Sequence, residues 1–194
     1  MSIDDTFQVF PQFSSARLHL RRITSADLDA LYALYKQPDV GVYTNTATFT
    51  DPVEARFMLA YFDKEYSWRH QIRWGIIERA TETLIGTCCL FDFDWQHHHA
   101  EIGYDLSVSH WGQGIMSEAL LPVLDYGFDT LDLHRIEARL TPENSASSRL
   151  LERLGFSHEG TLKERFYSHG RFWDDAFYGL LRSTYRQRRS ASGK

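Results

Sequence analysis

Apolar and polar positions change period along the chain, and each change marks an element. In ARLHLRRI, Leu18 and Leu20, with Arg22 in the same phase, alternate with Arg17, His19 and Arg21 at the period of a strand. Thr24 and Asp27 then form a T-x-x-D capping box. Behind it Leu28, Leu31, Tyr32 and Tyr35 recur at helical spacing. PDVGVYTNTATF reads as a loop. Asp51, Pro52 and Glu54 supply a cap, a proline at the first helical position and an acid three residues after the cap. They predict a second helix, with Val53, Phe57, Ala60 and Tyr61 as its buried face.

The middle of the chain is rich in strands. RWGIIER and TLIGTCCLFDFDW flank a polar turn at Ala80–Glu82 and predict a hairpin, and a turn at Gln96–His98 leads into AEIGYDLSV. Three antiparallel strands are expected. HWGQG then turns into SEALLPVLDYGF, which is helical in period and carries Pro122 as a source of bending. HRIEARL is a strand. Asn144 opens a helix with Leu150, Leu151 and Leu154 inward, and Gly155 ends it. FSHEGTLKERF and RFWDDAFYGLL pair across a Ser168–Gly170 turn. From Arg182 the chain is polar and basic with no apolar period after Tyr185, so a loose tail is expected from about residue 186. The order β-α-α-β-β-β-α-β-α-β-β predicts a mixed α/β sheet with one β-α-β unit in its second half. With no repeat and no linker, residues 1–194 read as one domain.

Composition narrows the class. Hydrophobic residues make up 43% and charged residues 24%, an ordinary globular balance. A formal net charge of −5 disfavours nucleic acid as a main partner and suits a cationic acceptor better. The two cysteines, Cys88 and Cys89, are adjacent, so on a strand they point to opposite faces, and a reduced compartment fits. MSIDDTFQVF lacks the basic flank and apolar run of a signal peptide, and no apolar stretch approaches the ~20 residues of a membrane helix. The expectation is a soluble, cytoplasmic protein.

Chemistry is suggested first by the glycine turn. Gly112 and Gly114 bracket Gln113 where a strand gives way to a helix, and small residues there let a ligand approach the backbone. The N–H groups from Gln113 to Ser117 point outward at the helix start and make an anion site suited to a diphosphate. The dipole alone gives only ~0.3–1 kcal/mol, so direct N–H bonds must carry the binding. A plain glycine turn is the equally simple reading of this fragment. A dinucleotide site requires a third glycine, and Ser117 stands in its place; no G-x-x-x-x-G-K-[ST] run occurs. A nucleotide-dependent oxidoreductase is therefore the minor alternative. Glu101 shares a strand face with Gly103 and Asp105, and a charge in mid-strand calls for a partner. His97, His99 and Glu101 at i, i+2 and i+4 could form a two-histidine, one-carboxylate metal site. His97–His99 falls in the hairpin turn, however, where strand alternation does not apply, and a solvated histidine turn is the simpler reading. Trp68, Trp74, Trp95 and Trp173 read as core or rim.

At these residues the chain resembles a known family. AEIGYDLSVSHWGQGIMSEALLPVLDYGF resembles the acyl-CoA-binding motif of the GNAT superfamily of N-acetyltransferases. LTPENSASSRLLERLGF and EGTLKERFYSHGRFWDDAFYGLL are similar to its Rim-type branch, which acetylates N-terminal amines of ribosomal proteins and includes relatives with other acceptors. W-G-x-G, N-x-x-S and L-G-F follow in order, and the resemblance runs from Ser15 to about Tyr185. It implies a mostly antiparallel, twisted sheet with a splay between the fourth and fifth strands and about four flanking helices. Pantetheine would enter the splay against the backbone around Leu106 and Val108. The diphosphate would sit over Trp111, Gly112, Gln113, Gly114, Ile115, Met116 and Ser117. It further implies acetyl-CoA as donor, a primary amine as acceptor, direct transfer in a ternary complex without a metal, and a monomer or homodimer.

Glu101 stands where some superfamily members carry a catalytic glutamate; its two readings are the base and a strand glutamate paired with an Arg or His. Two departures matter. Ser109 replaces the usual Gln or Arg before the glycines, and Leu151 occupies the place of the tyrosine that protonates the leaving thiolate. Ser147, three residues after Asn144 on the same helix, is either the replacement acid in contact with the CoA sulfur or pantetheine, or a plain polar residue of the helix's first turn. Asn144 is either an N-cap or a pantetheine contact. Glu159, Tyr167, Asp174 and Asp175 match the part of the branch that shapes the acceptor cleft. An acyl-CoA-binding module without catalysis is the second alternative.

Overall fold

The structure is a computed structural model and describes residues 7–43, 46–168 and 170–192. The strands are β1 Phe13–Ser14, β2 Leu18–Arg22, β3 Gln71–Glu78, β4 Thr83–Asp94, β5 His99–Leu106, β6 Arg135–Leu140, β7 Ser157–Ser168 and β8 Arg171–Leu181. The helices are α1 Leu28–Tyr35, α2 Pro38–Gly41, α3 Val53–Ser67, α4 Ile115–Asp129, α5 Ser145–Leu154 and α6 Arg182–Ser192. One sheet runs in the order β1-β2-β3-β4-β5-β6-β8-β7.

Neighbouring strands are antiparallel except β5 and β6. That parallel ladder has its last rung at Glu101↔Glu137. Beyond it β5 follows β4 as far as Gly86↔Leu106, and β6 follows β8 as far as Leu140↔Ala176. The sheet therefore splays between them. These are the fourth and fifth strands of the sequence-derived order, since β1 is a two-residue addition at the front edge.

Two apolar clusters cover the two faces. Leu18, Ile72, Trp74, Leu90 and Ile102 pack against Leu120, Val123, Leu124 and Phe128 of α4 and Leu150 and Leu154 of α5. Gly127 allows the close approach of α4: a Cβ there would lie 2.9 Å from Ile136 Cδ1. On the other face Ile23, Ile77 and Leu84 meet Leu31 and Leu34 of α1 and Ala55 and Phe62 of α3. The Thr24–Asp27 capping box is present ahead of α1, and α4 runs unbroken through Pro122.

Four sequence expectations need correction. The loop expected over 38–49 contains the short helix α2, with residues 44–45 outside the described set. In α1, Leu28 and Tyr32 are only half-buried, and Leu34 joins Leu31 and Tyr35 inside. In α3 the inward row is Ala55, Met58, Leu59 and Phe62, whereas Val53, Phe57, Ala60 and Tyr61 face out. Both rows satisfy helical spacing, and period alone does not say which one meets the sheet. The segment expected to be loose is helix α6. Tyr185 is buried with its hydroxyl 2.9 Å from Asp125, and Arg186 and Arg189 reach Asp129 and Asp125 at 2.8 and 3.0 Å. The carboxylates that dock it lie sixty residues earlier on α4. Of the Ser168–Gly170 turn, His169 lies outside the described residues. Among the described residues no helix is long and apolar enough to cross a membrane.

Candidate active site

The glycine turn has the geometry its composition asks for. Gly112 and Gly114 have φ of +73° and +74°, the left-handed region where a side chain is strained. The first bond closing α4 runs from Glu118 N to Gly114 O at 3.1 Å. The N–H groups of Ile115, Met116 and Ser117 thus project beyond the helix start. Ile115 and Met116 bury their side chains in the core, so the backbone is what they offer a ligand. Arg17 Nη1 donates to Gln113 O at 3.1 Å and its Nε to Glu118 Oε2 at 2.7 Å, while Ser15 Oγ donates to Glu118 Oε1 at 2.6 Å. Burial opposes ionisation of Glu118, but the bonds from Ser15 and Arg17 win and hold its carboxyl below the usual range. The Gln113 amide donates to Ser109 O at 2.8 Å, so the short Ser109 contributes its backbone to the turn.

Trp111 ties this turn to the splay. Its indole donates to Leu106 O at 2.8 Å. Ser107 N donates to Ile85 O at 2.9 Å, which makes that pair a hydrogen-bonded rung. By the alternation of an antiparallel ladder, the backbone groups of Leu106 and Tyr104 point away from β4; the Leu106 carbonyl is taken by the Trp111 indole, and the Leu106 N–H and the Tyr104 groups are directed toward the opening. Val108 is different: its N–H donates to Gln37 Oε1 at 3.1 Å and its carbonyl accepts from Trp111 N at 3.1 Å. The two positions expected to face pantetheine are therefore not equivalent.

On α5, Asn144 Oδ1 accepts from Ser147 N at 3.1 Å, so Asn144 is an N-cap. Ser147 lies near the hydroxyl of Tyr104, whose pKa burial pushes up to about 12 against a lowering influence of the Ser147 side chain. Nothing local in the sequence marks Tyr104, because it shares the strand phase of the apolar Ile102 and Leu106. Leu151 is buried.

Glu101 lines a pocket of about 380 Å³ with Tyr43, Phe91, Arg139, Phe166 and Asp175. Its side chain is 16% exposed and lies 3.8 Å from Arg139 Nη1. Burial pushes the Glu101 carboxyl up, Arg139 pulls it down, and Asp92, Glu137 and Asp175 push it up again. Along the same face of β5, Asp105 accepts from the Tyr35 hydroxyl at 2.8 Å and lies 3.6 Å from Arg73. Arg73 donates to Thr87 Oγ1 at 2.8 Å and Cys89 Sγ at 3.0 Å. Burial raises the Asp105 carboxyl and the Cys89 thiol alike. Cys88 lies on the opposite face, in the apolar core. The sequence signal for this network was Arg73 between Ile72 and Trp74, a charge inside an apolar run.

Of the four expected cleft residues, Asp175 lines the pocket. Glu159 pairs with Arg135 at 2.6 Å, Asp174 pairs with Lys163 at 2.7 Å, and Tyr167 is exposed beside Phe172. His97 turns to Asp94 at 2.9 Å, and among the described residues no group of three or more His, Cys, Asp or Glu is placed to hold a metal. A wider depression of about 880 Å³ beside Trp68, Phe93 and Trp95 shares no residue with the turn, the splay or the Glu101 pocket. Its size alone does not make it the chemical site.

Residues 17–157 match the family described as Acetyltransferase (GNAT) domain. The chain is 40% identical over 169 residues to the uncharacterized N-acetyltransferase p20 of Bacillus licheniformis, covering 87% of this chain and 95% of that one. Its structure is similar to that of spermidine N-acetyltransferase from Vibrio cholerae in complex with CoA and spermine, with TM-score 0.77, 27% identity and coverage of 89% and 99%. The fold is also that of Mycobacterium smegmatis RimJ in complex with CoA-disulfide, with TM-score 0.80, 23% identity and coverage of 91% and 89%.

Proposed function

The chain belongs to the GNAT acetyltransferase family and is an acetyl-CoA-dependent N-acetyltransferase, and on that premise we propose that it acetylates a primary amine by direct transfer, as one catalytic domain. The N–H groups from Gln113 to Ser117 hold the diphosphate, and the turn of Trp111, Gly112 and Gly114 keeps the backbone open to it. The splay receives the pantetheine, with the backbone of Leu106 along one wall and α5, begun by Asn144, along the other. A backbone N–H of β5 polarises the thioester carbonyl. Glu101, through a water, takes the proton from the acceptor ammonium. The new N–C bond forms and the C–S bond breaks; Ser147, with Tyr104 behind it, gives a proton to the departing thiolate and recovers one from the attacking nitrogen, which leaves a neutral amide and CoA thiol.

The observation that carries this reading is where the parallel ladder ends. Its last rung is Glu101↔Glu137, so the carboxyl stands at the vertex of the splay. Solved relatives act on different amines, and the acceptor follows from chemistry. At pH 7 an α-amine of pKa ~7.7–8.0 needs roughly 1 kcal/mol to present its free base, and a lysine-like amine of ~10.4 roughly 4–5. One glutamate acting through water suits the smaller demand, so peptide N-termini and small amines of low pKa are the preferred class. The protein acts in the cytoplasm as a monomer or homodimer. Thiol release from acetyl-CoA across a panel of N-terminal peptides, spermidine and lysine tests this. The expected result is release with an α-amine, which Glu101→Gln abolishes at neutral pH. Stabilisation by CoA with no thiol release from any amine would leave an acyl-CoA-binding module instead.

A further inference from the structure

Arg139 lies two residues past the last parallel rung, on the strand that is leaving Glu101 behind. Its side chain nonetheless crosses the opening and brings Nη1 to 3.8 Å from Glu101 Oε1. The rest of the guanidinium is held from β8. Nε and Nη2 both donate to Asp175 Oδ2, at 2.9 and 2.5 Å, and the ring of Phe177 lies 5.2 Å from Cζ. The Asp175 side chain is only 3% exposed. A lysine could satisfy one carboxylate here but not both, because it lacks the planar fork.

We propose that Arg139, fixed by Asp175, is a positioning residue that bridges the mouth of the splay and holds Glu101 ionised and aimed at the acceptor. This rests on the reading of Glu101 as the base. The charged groups facing Glu101 are Arg139 and Glu137 from β6, Asp92 from β4 and Asp175 from β8. Three carboxylates and burial all favour the neutral acid, which accepts no proton. The guanidinium is the group that opposes them, and it cannot itself give up a proton at working pH. Sequence reasoning had left the partner of Glu101 as an unnamed Arg or His. The structure supplies one and shows that it is itself anchored from the far arm of the sheet.

The test needs a variant that folds. Arg139→Gln alone would strand the buried Asp175 carboxylate, so the double variant Arg139→Gln/Asp175→Asn is used beside Arg139→Lys. Glu101 is followed directly by carboxyl-carbon NMR titration of 13C-labelled protein, and kcat/KM for the best amine is measured from about pH 5 to 10. In the double variant both the Glu101 titration and the acid limb of kcat/KM should move up, by less than the roughly one pH unit that loss of the Arg139 charge alone would give, because Asp175→Asn also removes one of the carboxylates that push Glu101 up. On that limb the rate should fall by less than about tenfold, with recovery at high pH. Arg139→Lys should move both by less. A Glu101 titration identical to wild type in the double variant overturns the proposal. If the carboxyl titration moves but the acid limb stays, Glu101 is not the base, and the reading on which the proposal stands fails with it.

Discussion

On the face of the sheet under α4 and α5, Leu18, Ile72, Trp74, Leu90 and Ile102 meet Leu120, Val123 and Phe128 with no charge between them. On the face under α1 and α3, the same central strands carry Arg73, Thr87, Cys89 and Asp105, joined to one another and to Tyr35, and Glu101 stands farther along β5 against Arg139. The difference is one of purpose. Apolar burial stabilises at roughly 25 cal/mol per Å² wherever it occurs. A buried ion pair is weak evidence for stability, because desolvation offsets its attraction. What the polar face provides is a fixed field beside the pocket, with the Arg73–Asp105 pair bracing the strand that bears Glu101. The first face anchors α4 and α5, and the second surrounds Glu101 with the groups that shift its carboxyl.

The sharpest way to break this comparison is to unpair the polar face. Arg73→Met leaves the Asp105 carboxyl buried without its cation and should cost about 3–5 kcal/mol. Leu120→Ala on the apolar face should cost about 2–5 kcal/mol by lost transfer energy and cavity. The two differ in how they are rescued. Adding Asp105→Asn to Arg73→Met should recover much of the loss, because a neutral amide needs no counter-charge. Urea unfolding of the single and double variants reads this. A double variant no better than Arg73→Met would show that the guanidinium matters for packing, not for charge.

The cradle gives the next effect in size. Gly114→Glu should lower CoA affinity at least tenfold, because a carboxylate then faces the diphosphate. At φ +74° any side chain also brings strain of about 1–2 kcal/mol to the free protein. Gly114→Ala should share that strain, and a Cβ there has Arg17 Nη2 as its nearest neighbour at 3.8 Å, so the alanine should bind CoA nearly as well. Calorimetric titration with CoA beside melting curves separates the two. Equal loss of affinity in both variants would assign the effect to the backbone conformation.

How far the sequence carried is explained by the same two faces. α4, α5 and the strands beneath them follow one apolar period each, and Leu150, Leu151 and Leu154 fall inside as their spacing requires. The glycine turn was legible too, since few residues other than glycine adopt its backbone. The polar face was not. Arg73, Asp105 and Tyr35 come from three separate elements, and no local pattern announces that they meet. Arg139 and Tyr104 were hidden for the same reason, since their partners lie on other elements. α6 looked unstructured because its partners, Asp125 and Asp129, lie on α4 and its stripe is charged where an apolar one was sought.

A smaller effect concerns pH. Burial holds the Glu101 carboxyl above its ordinary value of 4.5 in the folded chain. The folded state then binds more protons than the unfolded one as pH rises past that value, so stability contributed by Glu101 falls across the window. Glu101→Gln has no proton to lose. Its melting temperature should match wild type near pH 3.5 and exceed it at pH 7. A constant gap at both pH values would mean that the charge of Glu101 carries no folding cost and that packing alone separates the two proteins.

The smallest effect belongs to α3, where two rows of residues compete for the inward face. Phe57 is the largest apolar side chain in the row that lost, and it is 69% exposed. Phe62, in the row that won, packs beside Ala55 and carries the Arg73 guanidinium 4.8 Å above its ring. The helix thus turns one aromatic ring, that of Phe62, toward the polar network. Phe57→Ser removes a large apolar group from water-facing surface. Serine and phenylalanine have similar helix propensities, so the backbone gains or loses little. The expected change in unfolding free energy is within about 0.5 kcal/mol, as for surface substitutions generally. A loss above about 2 kcal/mol by urea unfolding would show that Phe57 is covered in solution, and that the outward row of α3 is not simply surface.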